Sequence, residues 1–124
     1  MKCRNPRVDI ESFYLPDGRV TIGKKHWDMS TIIGATKNLP VYDLQLSAID
    51  LSTYPWGDNG YISDFLFQMK RVQEADLSFP IVQNPNGFII DGWHRVCKAI
   101  LNGQTTIKAV RLVVMPEPDM VEKD

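Results

Sequence analysis

The sequence predicts an α+β fold: one small domain in which a mixed β-sheet packs with two principal helices and an N-terminal β-hairpin. Three observations predict it. Two stretches carry apolar residues at helical spacing. Short β-branched runs, bounded by Pro, Gly, Asn and Asp, surround them. The 124 residues, 44% of them hydrophobic, are enough for one core and too few for a second full domain. The expected domain is 1–115, with 116–124 as a polar, Pro-broken tail that frays.

The elements follow in order. "VDIESFYLPDGRVTIG" holds two partly alternating runs around Pro16-Asp17-Gly18, a hairpin signature. "KKHWDMSTIIGATKNLP" reads as irregular. Pro40 bars a helix from running into Val41–Leu46, which reads as a strand, and "TYPWGDNG" has the composition of a loop. From Tyr61 to Ala75, Ile62, Phe65, Leu66, Met69 and Val72 form one apolar stripe, so a helix is expected there, ended by Pro80. "FPIVQNPNGFIIDG" reads as a hairpin turning at Asn84-Pro85-Asn86-Gly87. Trp93, Val96, Cys97, Ile100 and Leu101 mark a second helix, with Asp91 as its N-cap and Asn102-Gly103 as its stop. "TTIKAVRLVVM" is then a β-branched strand with apolar residues on both faces, as an interior strand requires.

A formal charge of −1, from 14 basic and 15 acidic residues, argues against a generally basic nucleic-acid wrapper but leaves a local phosphate pocket open. Cys3 and Cys97 have neither metal-ligand spacing nor a disulfide pattern and read as reduced thiols. The first residues lack the apolar core of a signal peptide, and no run is long enough to span a bilayer, so a cytoplasmic location is expected.

The chemistry concentrates in "IIDGWHRVCKAILNG", residues 89–103. His94, Arg95 and Lys98 share the face opposite the apolar stripe, near the end of the helix where the macrodipole is already positive. Exposed cations there cost about 0.3–1 kcal/mol each. A bound anion removes the misfit: phosphate oxygens would take the free backbone N–H groups, the Arg95 fork and a proton of His94 or Lys98, with Gly92 leaving the approach clear. The same residues equally suit a structural role, with Arg95 and Lys98 paired to Asp91, Asp76 or Glu74, and Gly92 needed only for a tight strand-to-helix turn.

Pro80 to Leu112, "PIVQNPNGFIIDGWHRVCKAILNGQTTIKAVRL", resembles the central block of the ParB/sulfiredoxin superfamily: a Pro-Ile strand, a turn, a strand ending in Asp-Gly-x-His-Arg, an amphipathic helix and a strand. In that superfamily the Gly-x-His-Arg turn holds nucleotide phosphates. The resemblance therefore implies Gly92, His94 and Arg95 as phosphate contacts, Asp91 as the residue shaping the turn, and a nucleoside triphosphate, ATP or CTP, as ligand. Whether Mg²⁺ accompanies it is left open. The superfamily includes sulfiredoxin, a free-serine kinase, CTP-hydrolysing partition proteins and plasmid proteins described as nucleases, and fold likeness does not choose among them. Trp93 stands where sulfiredoxins carry the reactive cysteine, and Cys97 lies a turn further on in the apolar stripe, so sulfinic acid repair is not expected. Few residues follow the last strand, so centromere binding through a following helix-turn-helix domain is not expected either.

Phosphotransfer or nucleotide hydrolysis needs a base and a metal ligand, and Glu74 and Asp76 are the acids favoured over Asp50, with His94 and Arg95 stabilising transferred charge. The alternative is a nucleic-acid-binding or nuclease-like accessory protein of phage or plasmid type, using the same motif on a backbone phosphate. Lys24, Lys25 and His26 would then extend the positive surface, or else form a solvated loop anchored by Trp27. Tyr54 and Trp56 flank Pro55, placed either to stack on a base or to pack beneath their own loop.

Overall fold

The computed structural model describes residues 19–57 and 60–123. In chain order the elements are strands β1 (Arg19–Ile22) and β2 (Lys25–Asp28), helix α1 (Met29–Ala35), strand β3 (Tyr42–Gln45), a 3₁₀ turn (Leu46–Ala48), helix α2 (Ile62–Glu74), strands β4 (Ile81–Gln83) and β5 (Ile89–Asp91), helix α3 (Trp93–Leu101), and strands β6 (Thr106–Arg111) and β7 (Met120–Val121). The class is α+β, as the patterning predicts. The strands divide between two sheets rather than one: an antiparallel sheet in the order β1-β2-β7, and a mixed sheet in the order β3-β6-β4-β5 with β4 and β6 parallel.

The hairpin expected at Pro16-Asp17-Gly18 lies, in its turn and first arm, outside the described residues. Its second arm, β1, is instead the first arm of a hairpin that closes at Ile22 and Lys25. The two-residue connection starts with Gly23 at φ +62°, while Lys24 has no positive φ, a combination that fits a II′ turn. The stretch from Lys24 to Pro40, read as irregular, contains β2 and α1. Both are short, and Ile32 is the only buried residue of α1, too little for a periodic signal.

The mixed sheet has a core on each face. On one side Ile81, Ile107 and Ala109 pack with Leu46 and with Val96 and Ala99 of α3. On the other, Val82 and Leu112 pack with Val20 and Trp27 of the small sheet and Ile32 of α1. Adjacent residues of β4 thus serve opposite layers, which explains the apolar residues on both faces of β6, the strand between β3 and β4. That strand ends at Arg111, earlier than its apolar run suggests: Val113 and Val114 are exposed.

The two helical stripes are only partly core. In α2 the buried residues are Phe67 and Val72, while Ile62 and Phe65 are exposed. In α3 they are Val96 and Ala99, while Leu101 is exposed. The small Ala99 lets α3 approach the sheet. The larger residues, Trp93, Cys97, Ile100 and Leu101, line an apolar cavity of about 450 Å³ together with Phe65, Met69, Tyr54 and Trp56.

Residues 116–123 are not a frayed tail. Strand β7 pairs with β2, the Trp27 indole donates to the Pro116 carbonyl at 2.7 Å, and Glu122 accepts from His26 Nε2 at 2.8 Å. Polar composition hides this because the contacts that dock the segment are hydrogen bonds. No helix among the described residues is long and apolar enough to cross a membrane.

Candidate active site

The turn from β5 into α3 is made by Gly92 at φ +109°. A Cβ there would lie 2.5 Å from Ile81 Cγ2, so the residue answers to both a left-handed backbone and a close approach to the core. The side on which a Cβ would stand is filled by Ile81, so the core itself requires glycine here, and Gly92 also lines the cleft. The N-cap position also belongs to Gly92 and has no side-chain cap. Asp91, expected in that role, turns away to accept from Arg95 Nη2 at 2.8 Å. The first N–H with an acceptor at this end of α3 is that of Val96, onto Gly92 O, and the N–H groups of Trp93, His94 and Arg95 have no acceptor among the described residues.

Arg95 is largely committed to holding the wall of the site. Its Nη1 donates to the carbonyls of Phe79 at 3.0 Å and Pro80 at 2.6 Å, while Nη2 holds Asp91. The fork that reads as a phosphate clamp ties α3 to the connection between α2 and β4. Lys98 reaches the other way. Its Nζ donates to Gln73 O at 2.9 Å and Ala75 O at 2.7 Å, satisfying carbonyls at the C-terminus of α2, and it does not line the cleft beside Gly92.

His94 is half-buried. Its Nε2 lies 2.6 Å from Gln68 Oε1, and its ring stacks on Trp56, with centroids 4.6 Å apart and planes 17° apart. Burial, with Arg71 and Arg95 adding to it, pushes its pKa down to about 4. Without a bound anion it is thus neutral at neutral pH, whereas a cationic share was expected of it. Trp56, with Tyr54 edge-on at 6.0 Å, already has a ring partner.

The side chains around this turn enclose a cleft of about 500 Å³, lined by Arg71, Glu74 and Asp76 from α2 and the turn after it, Phe79 and Pro80, Asp91 to Arg95 except Trp93, and Ile33 and Thr36 beside α1. Glu74 pairs with Lys70 at 3.5 Å. Asp76 accepts from the Ser78 hydroxyl at 2.7 Å and the Ser78 N–H at 2.9 Å, and these bonds hold its carboxyl below the usual range, with Lys98 and Arg95 adding smaller pulls. Glu74 and Asp76 are therefore in the cleft, as expected. Asp50 lines a different cavity and accepts from the Ser52 N–H.

Sequence reading missed two residues here, Arg71 and Gln68. Arg71 lines the cleft and, of the cations, lowers the His94 pKa most, with its guanidinium carbon 5.9 Å from the Phe67 ring centroid. The signal that could have found it is its place one turn from Gln68 and Glu74 on α2. Gln68, which meets His94, belongs to no motif, and Trp56, expected to stack on a base or pack beneath its own loop, stacks on His94. Away from the cleft, Lys25 and His26 sit in β2, and His26 is buried between Thr21 and Glu122, a structural histidine. Cys97 is half-buried, and burial pushes its thiol up, as an inert cysteine requires. Among the described residues no group of three or more His, Cys, Asp or Glu side chains is placed to hold a metal.

Compared with protein-family models, with curated proteins and with solved structures, the chain matches none.

Proposed function

We propose that the cleft binds a nucleoside phosphate, with the phosphate at the start of α3. The observation that carries this reading is convergence. Three backbone N–H groups, at positions 93 to 95, have no acceptor among the described residues and belong to a turn that shares one cleft with the guanidinium of Arg71. The phosphate would accept from those N–H groups, and Arg71 would supply the charge that His94 lacks. Phe79 and Ile33 offer apolar surface to a base. About 500 Å³ suits a ligand of this size. The likeness of the Asp-Gly-x-His-Arg stretch to the ParB/sulfiredoxin superfamily supports the same reading.

Glu74 and Asp76, on the rim, are the acids for phosphotransfer or hydrolysis. They suit a Mg²⁺ that arrives on the nucleotide's phosphates, since that ion takes one or two carboxylates and substrate oxygens rather than an all-protein cage. When bound, it would neutralise charge on the β- and γ-phosphates. Asp76, its carboxyl held below the usual range by Ser78, acts as a carboxylate, binding the ion or orienting a nucleophile.

Titration calorimetry with ATP, CTP and ADP in the presence of Mg²⁺ tests this. Arg71→Ala is expected to weaken binding roughly tenfold, the worth of one charge-assisted contact, with the melting temperature unchanged. No binding of any nucleotide, or equal binding by both proteins, overturns it. DNA retardation at low salt that responds to Arg71→Ala would instead move the site to a backbone phosphate.

A further inference from the structure

We propose that Gln68 and Trp56 are positioning residues that hold His94 as the Nε2–H tautomer, so that a cleft ligand meets this histidine only as a hydrogen-bond acceptor. This rests on the reading that the cleft takes a phosphorylated ligand, and it names the ligand group opposite His94: a donor, either hydroxyl or amino, and not a phosphate oxygen.

Three observations converge. First, the Gln68 carbonyl oxygen lies 2.6 Å from His94 Nε2, a distance at which the ring nitrogen must donate. Second, Trp56 covers a face of the ring at 4.6 Å and 17°, which opposes the ring flip that would put Cε1 in place of Nε2 opposite Gln68. Third, Nδ1 is by covalent structure the ring nitrogen nearer the main chain, and that main chain is the first turn of α3, where unpaired N–H groups favour a lone pair over another proton. The guanidinium groups of Arg71 and Arg95 act in the same direction by favouring the neutral ring. Nothing among the described residues hydrogen-bonds to Nδ1. Since His94 lines the cleft, the polar atom it has left to offer is an acceptor.

The arrangement divides the labour at the turn. Arg71 and the α3 N–H groups meet the anion, and His94 reads a hydroxyl or amino group beside it. Gln68 and Trp56 line the apolar cavity rather than the cleft, so they act through His94 alone.

Two-bond ¹H–¹⁵N correlation spectra of the imidazoles in the full chain test the proposal without any ligand. His94→Asn separates the His94 signals from those of His26. The expected result near neutral pH is a pyrrole-type Nε2 and a pyridine-type Nδ1. Gln68→Leu should release the ring into both tautomers, Gln68→Glu, which keeps the acceptor, should restore the single one, and Trp56→Leu should remove the ring-current shift of the His94 protons. A wild-type Nδ1–H form, an even mixture, or a Gln68→Leu spectrum identical to wild type overturns the proposal.

Adding ATP should move Nδ1 and leave Nε2 in place. Loss of that response with 2′,3′-dideoxy-ATP assigns the donor to the sugar, and its retention assigns it to the base amino group. ATP that binds by calorimetry without moving Nδ1 overturns the acceptor role. ATP that does not bind defeats the phosphate reading alone, and the ligand-free spectra then decide the tautomer.

Discussion

Gly92 answers to two constraints at once, a positive φ and a core neighbour where its side chain would be. Gly92→Ala adds a Cβ against Ile81 in a strained backbone and is expected to destabilise the fold by about 2–4 kcal/mol in chemical denaturation. A change under about 0.5 kcal/mol would show that Ile81 yields freely. His94 sets a pH dependence of the opposite sign to a salt-bridged histidine. Its folded pKa, about 4, lies below the ordinary 6.5, so the unfolded chain binds more protons between these values. The neutral ring's contribution to stability is whole above pH 6.5 and declines as pH falls towards 4. The slope of stability against pH in this window should shrink in His94→Asn, and an unchanged slope would remove the claim. At this scale Gly92, His94 and Arg95 were legible as special, because glycine and misplaced charge leave marks in a sequence. Their roles were not, because the partners of Arg95 are the carbonyls of Phe79 and Pro80, and any residue type supplies a carbonyl.

Helix α3 works at the scale of an element as a strut whose polar face is fastened in two directions. Arg95 holds the chain leading into β4, and Lys98 holds the end of α2. Arg95→Ala leaves two carbonyls and a half-buried Asp91 without their donor. A loss of about 2–3 kcal/mol in thermal or urea unfolding is expected, with Arg95→Lys recovering only part of it, since an ammonium cannot span three acceptors with the geometry of a guanidinium. Full recovery by lysine would reduce the clamp to simple charge. The spacing of Trp93, Val96 and Cys97 located this helix, with its N-cap one residue off, and Asn84 to Gly87 located the hairpin before it. The burial order within the helix was hidden, because Ala99 carries little hydrophobic weight yet sits where the helix and sheet backbones come closest. Residue 99 is fully buried while the larger Leu101 is 72% exposed.

At the scale of the molecule, the mixed sheet is covered by helices on one face and by a second, smaller sheet on the other. That second layer was the least legible part. It is assembled from a seven-residue helix and strands of two to four residues that join through long-range pairing, and short elements give periodicity little to act on. Its closing strand, β7, should be removable at a measurable cost. In a chain ending at Met115, His26 and Trp27 lose their partners Glu122 and Pro116, and amide exchange should accelerate in β1 and β2 well before it does in β6. Equal protection in both chains would make the segment dispensable. The contact between Trp56 and His94 has a last consequence, and it concerns light. A protonated imidazole stacked on an indole quenches its emission far more than a neutral one, and ligands that displace the ring change the overlap. The Trp56 share of the emission of the three tryptophans, isolated as the difference from Trp56→Leu, should therefore fall as His94 takes up a proton.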